Sequence, residues 1–138
     1  MKKPPFNSGN YHVLVVDDEP SVLFTYRMIL EQEGYKTTAV ASASEALEAL
    51  RQQEFHLLLC DYSLEEKHTG FEVIEFARQR HKDLPCVLLT GYANQDTVTQ
   101  AEASGVGVLF KPIDIEEFLA AIPAKLQETY EQRAAQYN

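Results

Sequence analysis

Apolar residues fall along this chain in short runs that alternate with segments whose apolar positions recur every three or four residues. The clearest runs are Val13-Leu14-Val15-Val16, Leu57-Leu58-Leu59-Cys60, Val87-Leu88-Leu89 and Val108-Leu109-Phe110. Short apolar runs bounded by turn residues read as buried strands of a parallel sheet. Strands are predicted at about 12–16, 36–41, 55–61, 85–90 and 108–111. The third is apolar on both faces and is expected at the centre.

The intervening segments read as helices. The first, about 20–33, places Val22, Leu23, Tyr26, Ile29 and Leu30 at a 3.6-residue period. Pro20 suits its first turn and Gly34 its stop. Ser42-Ala43-Ser44-Glu45 reads as a capping box ahead of a stripe of Ala43, Ala46, Leu47 and Leu50. A long polar loop, 62–69, precedes a third helix at about 70–80. The fourth, about 94–104, is weakly patterned, with only Val98 and a few alanines apolar. Asp114 and Glu117 form a cap-like pair before the last helix, which carries Ile115, Phe118, Leu119, Ile122 and, past Pro123, Leu126. Pro123 is expected to break or kink that helix, or to open a new one. The expected organisation is a tail over 1–10, one domain over 11–122 and a helical extension over 123–138, for which a partner-binding role or a homodimer stays open.

Five strand–helix alternations imply an α/β fold. The expected form is a single doubly wound (βα)5 three-layer sandwich, flavodoxin-like, with its parallel five-stranded sheet in the order 2-1-3-4-5. In such sheets ligands bind at the carboxyl ends of the strands, at the switch point. Those ends carry Asp17-Asp18, Asp61, Thr90-Gly91 and Lys111-Pro112. Clustered carboxylates repel by about 4 kcal/mol per pair at 4 Å and an effective dielectric near 20. A divalent cation relieves that cost, and hard oxygen donors with room for phosphate oxygens select Mg²⁺. Asp61 beside Mg²⁺ is then a candidate nucleophile for an aspartyl phosphate. Lys111 supplies positive charge to the phosphoryl oxygens and Thr90 a hydrogen-bond donor. Gly91 adds no side chain to obstruct the approach.

Bulk composition narrows the partners. With 138 residues the chain is one domain long, and its formal charge of −9 argues against nucleic acid as a ligand. Met1-Lys2-Lys3-Pro4-Pro5 is basic without a following apolar segment, so it does not read as a secretory signal. No stretch approaches the roughly 18 apolar residues of a membrane helix. A soluble, cytoplasmic protein without a membrane partner is expected, with Cys60 and Cys86 reduced and buried. His12, His56, His68 and His81 lack metal-ligand spacing and are expected at the surface or at strand edges.

Four motifs in combination resemble the receiver domain of bacterial two-component response regulators. They are Leu14-Val15-Val16-Asp17-Asp18-Glu19-Pro20, Leu59-Cys60-Asp61-Tyr62-Ser63-Leu64, Leu88-Leu89-Thr90-Gly91 and Phe110-Lys111-Pro112. The resemblance covers about 12–122 and implies a CheY-like switch. Asp61 would be the phosphoacceptor, Asp18 a direct Mg²⁺ ligand, Asp17 a ligand acting largely through water, and the Ser63 backbone carbonyl a further ligand. Thr90 would be the switch hydroxyl and Lys111 the amine pairing with the phosphoryl group, with a cis bond before Pro112. The phosphoryl donor would be a histidine kinase or a histidine phosphotransfer protein. The target would be a downstream protein binding the face made by the fourth helix, fifth strand and fifth helix. The implied chemistry is confined to the chain's own phosphorylation and dephosphorylation.

Departures from the family pattern are local. Val108 stands where the family usually has an aromatic switch residue, so signalling through backbone shifts near Thr90 and Tyr92 is expected. The loop after Asp61 lacks the common proline and is one residue longer before Gly70. Ser63 and Tyr92 are expected to tune phosphate lifetime, Tyr92 by shielding the site. Two other readings compete with a stand-alone phosphorylatable switch. One is a phosphorylation-independent scaffold. The other is a Mg²⁺-dependent aspartyl-phosphate phosphohydrolase, disfavoured because Asp61 follows the third strand and position 63 is serine.

Overall fold

Each apolar run forms a strand of one parallel sheet, ordered β2-β1-β3-β4-β5. The strands are β1 (His12–Val16), β2 (Lys36–Val40), β3 (Leu57–Asp61), β4 (Cys86–Thr90) and β5 (Gly107–Phe110). The helices are α1 (Pro20–Gln32), α2 (Ala43–Gln52), α3 (Gly70–Arg80), α4 (Gln95–Ala103) and α5 (Ile115–Gln136). This computed structural model describes residues 6–91 and 95–136.

Side-chain alternation along the strands divides the interior into two cores. Leu14, Val16, Leu58, Cys60 and Leu88 face α2 and α3, meeting Ala46, Leu50, Val73, Ile74 and Ala77, with Ala101 of α4 on the same side. Val13, Val15, Leu57, Leu59, Val87 and Leu89 face α1 and α5, meeting Tyr26, Leu30, Phe118, Ile122 and Leu126. The central strands are buried on both faces, which is why they read as unbroken apolar runs. Cys60 and Cys86 are buried free thiols in one core. Burial pushes both thiols up, Cys86 to about 11, so they stay protonated.

Local signals set the helix ends. Ser42 Oγ accepts the Glu45 N–H at 3.0 Å, and the Glu45 carboxylate accepts the Ala41 N–H at 2.8 Å. Asp114 Oδ1 accepts the Glu117 N–H at 3.0 Å. Gly34 ends α1 with a φ of 94°, a conformation that favours glycine.

Three expectations shift. β3 begins at Leu57 rather than residue 55, because the ring of His56, not a strand carbonyl, takes the His12 N–H, at 2.9 Å. β5 ends at Phe110; the Lys111 N–H still reaches Thr90 O at 2.8 Å, but Pro112 has no N–H with which to continue. The largest difference is at Pro123, which lies inside a continuous α5 instead of breaking it. An internal proline costs a helix about 3 kcal/mol. Phe118, Ile122 and Leu126 are nearly or fully buried on both sides of it, and each such side chain contributes about 1.5–3 kcal/mol. Tertiary burial therefore outweighs the local rule, and Leu126, beyond the proline, still packs in the core.

Candidate functional site

β1 and β3 pair in register, Val16 opposite Cys60, so the residues that follow this last pair emerge side by side. That places Asp17 and Asp61 at the switch point, with Lys111 arriving from the end of β5. Lys111 Nζ donates to Asp17 Oδ2 at 3.1 Å and lies 3.2 Å from Asp61 Oδ1. Asp17 is fully buried, and its other oxygen accepts the Glu19 N–H at 2.9 Å. A buried carboxylate needs such partners, since an unpaired one is strongly unfavourable. Asp18, next in the chain, points to the exposed mouth.

Carboxylate oxygens of Asp17, Asp18 and Asp61 all lie within 4.8 Å of one another. Burial pushes the Asp61 carboxyl up to about 6; Lys111 opposes that rise, while Asp17 and then Asp18 add to it. Lys111 responds in the opposite sense. Burial pulls its ammonium down, but Asp61 and Asp17 together hold it above the usual lysine range. One ammonium thus serves two carboxylates while a third adds repulsion. Three hard oxygen donors this close, undercompensated in charge, fit a hard divalent cation of the Mg²⁺ type.

The acids open into a cleft of about 490 Å³ lined by Asp18, Asp61, Ser63, Lys111 and Pro112. Tyr26 of α1 also lines it, held by stacking on Phe118 at 5.3 Å between ring centroids. Burial raises the Tyr26 phenol. The Tyr26 role at the cleft was not legible, because its spacing marks it only as a core position. The Lys111–Pro112 bond is cis. Thr90, at the end of β4, is buried, and its backbone carbonyl accepts the Lys111 N–H at 2.8 Å. Ser63 is exposed and bridges to Thr69 across the loop.

Gly70 holds the loop closed. Its N–H donates to Tyr62 O at 2.8 Å, and a Cβ there would meet the Asp61 carbonyl oxygen at 2.6 Å and Leu88 Cδ1 at 2.8 Å. Only glycine fits this approach, a second role the sequence did not signal. At Gly91 the steric demand is absent: a Cβ would lie 3.8 Å from Lys111 Cβ, an ordinary contact. Val108 pairs with Leu88 and packs half-buried against the α2–α3 core, with no ring to rotate. Tyr92 lies outside the described residues.

Comparison with known proteins agrees with this architecture. The family model described as response regulator receiver domain matches residues 13–123. The transcriptional regulatory protein ZraR of Escherichia coli (strain K12) is 30% identical over 122 residues, 88% of this chain and 27% of that protein. An uncharacterized 14.6 kDa protein from Leptolyngbya boryana is 36% identical over 113 residues, covering 80% of this chain and 86% of that one. The crystal structure of a CheY-like receiver domain protein from Methanospirillum hungatei JF-1 superposes with a TM-score of 0.82 at 29% identity, covering 88% of this chain and 98% of that one. The chain spans about half or less of the curated transcriptional regulators it matches. Because the family match runs from β1 into α5, the chain belongs to the response regulator receiver domain family of two-component signal transduction, whose general role is to accept a phosphoryl group and signal.

Proposed function

We propose that Asp61 accepts a phosphoryl group from a phosphohistidine on a histidine kinase or a histidine phosphotransfer protein, and that the modified domain then controls a downstream protein. The observation that carries this reading is the Lys111 ammonium bridging Asp17 and Asp61 at 3.1 and 3.2 Å, with Asp18 at the same mouth. Such a cluster adds nothing to packing, and its charges fit a phosphoryl group with its counterion.

In the transfer an Asp61 carboxylate oxygen attacks phosphorus, the donor's P–N bond breaks, and its electron pair returns to the imidazole. Asp18, Asp61, the Ser63 carbonyl and Asp17 would hold Mg²⁺, which when bound would neutralise charge on the phosphoryl oxygens. In this reading Lys111 pairs with a phosphoryl oxygen and the Thr90 hydroxyl donates to one. Asp61 must be ionised to attack, and Lys111 favours that form. The only reaction this reading assigns to the chain is its own phosphorylation and the hydrolysis that reverses it. A cytoplasmic setting is part of the proposal; no helix among the described residues is long and apolar enough to cross a membrane.

Beryllofluoride, which stands in for a phosphoryl group on a carboxylate, tests the reading. Two-dimensional NMR should show saturable shifts at Thr90 and Lys111 when beryllofluoride and Mg²⁺ are added together, and none in Asp61→Asn. Equal shifts in wild type and Asp61→Asn would contradict it.

A further inference from the structure

The loop between Asp61 and α3 is held from outside by one carboxylate. Glu65 Oε1 accepts the N–H of Ala43, the first residue of α2, at 2.7 Å. The two are far apart in sequence, and this contact ties the loop to the neighbouring helix. Inside the loop, Leu64 N–H donates to His68 O at 2.9 Å and His68 N–H to Glu65 O at 3.0 Å. Ser63 bridges to Thr69. The tip between them is strained: Glu66 and Lys67 both have positive φ, 54° and 67°, without being glycine. Left-handed backbone is unfavourable at such residues, so surrounding contacts must hold it. The second Glu65 oxygen, Oε2, is buried with no hydrogen-bond partner among the described residues. The positive end of the α2 dipole favours the charge there.

We propose that Glu65 is a positioning residue for the phosphorylation site. It fastens the loop to α2 and so fixes where the Ser63 carbonyl stands relative to Asp61. The rigidity of this loop comes from a carboxylate on a helix N-terminus, in a segment without proline. This rests on the proposed phosphoacceptor reading and adds to it the residue that sets the loop's geometry. Glu65 touches neither Asp61 nor the cleft; its effect passes through Leu64 and Ser63.

Three single variants of the full chain, Glu65→Ala, Glu65→Gln and Ala43→Pro, and the double variant Glu65→Ala with Ala43→Pro test this. Proline is welcome at the first helical position, and Ser42 already has the extended backbone a following proline needs, φ −148° and ψ 160°. Ala43→Pro therefore removes the donor and displaces the Glu65 carboxylate, which lies 2.7 Å from that nitrogen, while keeping the helix start. It also keeps the test open if Glu65→Ala fails to fold. The readouts are Mg²⁺ affinity by calorimetry, phosphorylation rate with a small acyl phosphate, and amide hydrogen exchange of Leu64 and His68 in the metal-free protein. Supporting residues around a metal site typically change affinity about 10–100-fold. Glu65→Ala and Ala43→Pro should each weaken Mg²⁺ binding about 10-fold and speed exchange at Leu64 and His68. Their double variant should be no worse than either alone, and Glu65→Gln, which keeps an acceptor, should recover part of the loss. Altered thermal stability with unchanged Mg²⁺ affinity and phosphorylation rate would overturn the positioning role alone. A wild-type protein that binds no Mg²⁺ and takes no phosphoryl group would overturn the functional reading, and the positioning role with it.

Discussion

Gly70 and Asp61 approach so closely that one methyl group on the glycine would lie 2.6 Å from the aspartate's carbonyl oxygen. The N-terminus of α3 therefore rests directly on the backbone of the candidate phosphoacceptor. The carbonyl is backbone, and the Leu88 methyl 2.8 Å away belongs to a fully buried side chain. Overpacking of this kind costs about 1–3 kcal/mol. Gly70→Ala is expected to lower unfolding stability by that amount in a urea titration. It should also slow acyl-phosphate labelling of Asp61, because relief requires the Asp61 backbone to shift.

Lys111 is the cation shared by two acids, so removing its charge should act on both. Lys111→Met should push the Asp61 carboxyl above its metal-free value of about 6, since Lys111 is the main influence opposing burial there. Carbon-13 NMR of the Asp61 carboxyl across a pH series checks this. A midpoint at or below 6 would count against Lys111 as the compensating charge.

The same carboxyl makes metal-free stability depend on pH. Its folded value is raised from the ordinary 3.8 to about 6. A raised acid contributes stability that is fully present below its unfolded value and is lost as pH rises through its folded value. Wild type should therefore lose up to about 3 kcal/mol relative to Asp61→Asn between about pH 4 and pH 6.5 without metal. Millimolar Mg²⁺ should return much of that stability above pH 6. Parallel pH profiles for the two proteins would refute the link.

Leu126 and Tyr130, past Pro123, pack against the folded core. Leu126 is fully buried with Phe118 and Ile122, and Leu126→Ala should cost about 2–5 kcal/mol. Tyr130 packs 5.7 Å from the Tyr11 ring and 5.8 Å from the His56 ring, and its hydroxyl donates to His56 O at 3.3 Å. Tyr130→Ala should speed amide exchange in the later turns of α5 while leaving Mg²⁺ affinity unchanged. Loss of Mg²⁺ affinity in that variant would mean α5 is coupled to the site.

What could be read in advance follows from how local each cause is. Strands β1, β3 and β4 were legible because burial on both faces leaves unbroken apolar runs, and Asp17, Asp61, Thr90 and Lys111 because each ends an apolar run. The cap pairs Ser42–Glu45 and Asp114–Glu117 were legible because their partners lie three residues apart. The fate of Pro123 was not, since the burial of Ile122 and Leu126 that overrides it is tertiary. The Glu65 anchor was hidden for the same reason. Its partner is on another helix, and its loop turns on Glu66 and Lys67 where a glycine or asparagine would have announced the left-handed backbone. Gly70 read as a helix start, and only the fold brings Asp61 O against it.

Intact-mass measurement after incubation with a small acyl-phosphate donor tests the central claim most directly. It would be made with and without Mg²⁺, on wild type and on Asp61→Asn. The account predicts one added phosphoryl group on wild type with Mg²⁺ present, and none without Mg²⁺ or in Asp61→Asn. An adduct of the same mass on Asp61→Asn, or none on a folded wild-type protein that binds Mg²⁺ and gives no response to beryllofluoride, would contradict it.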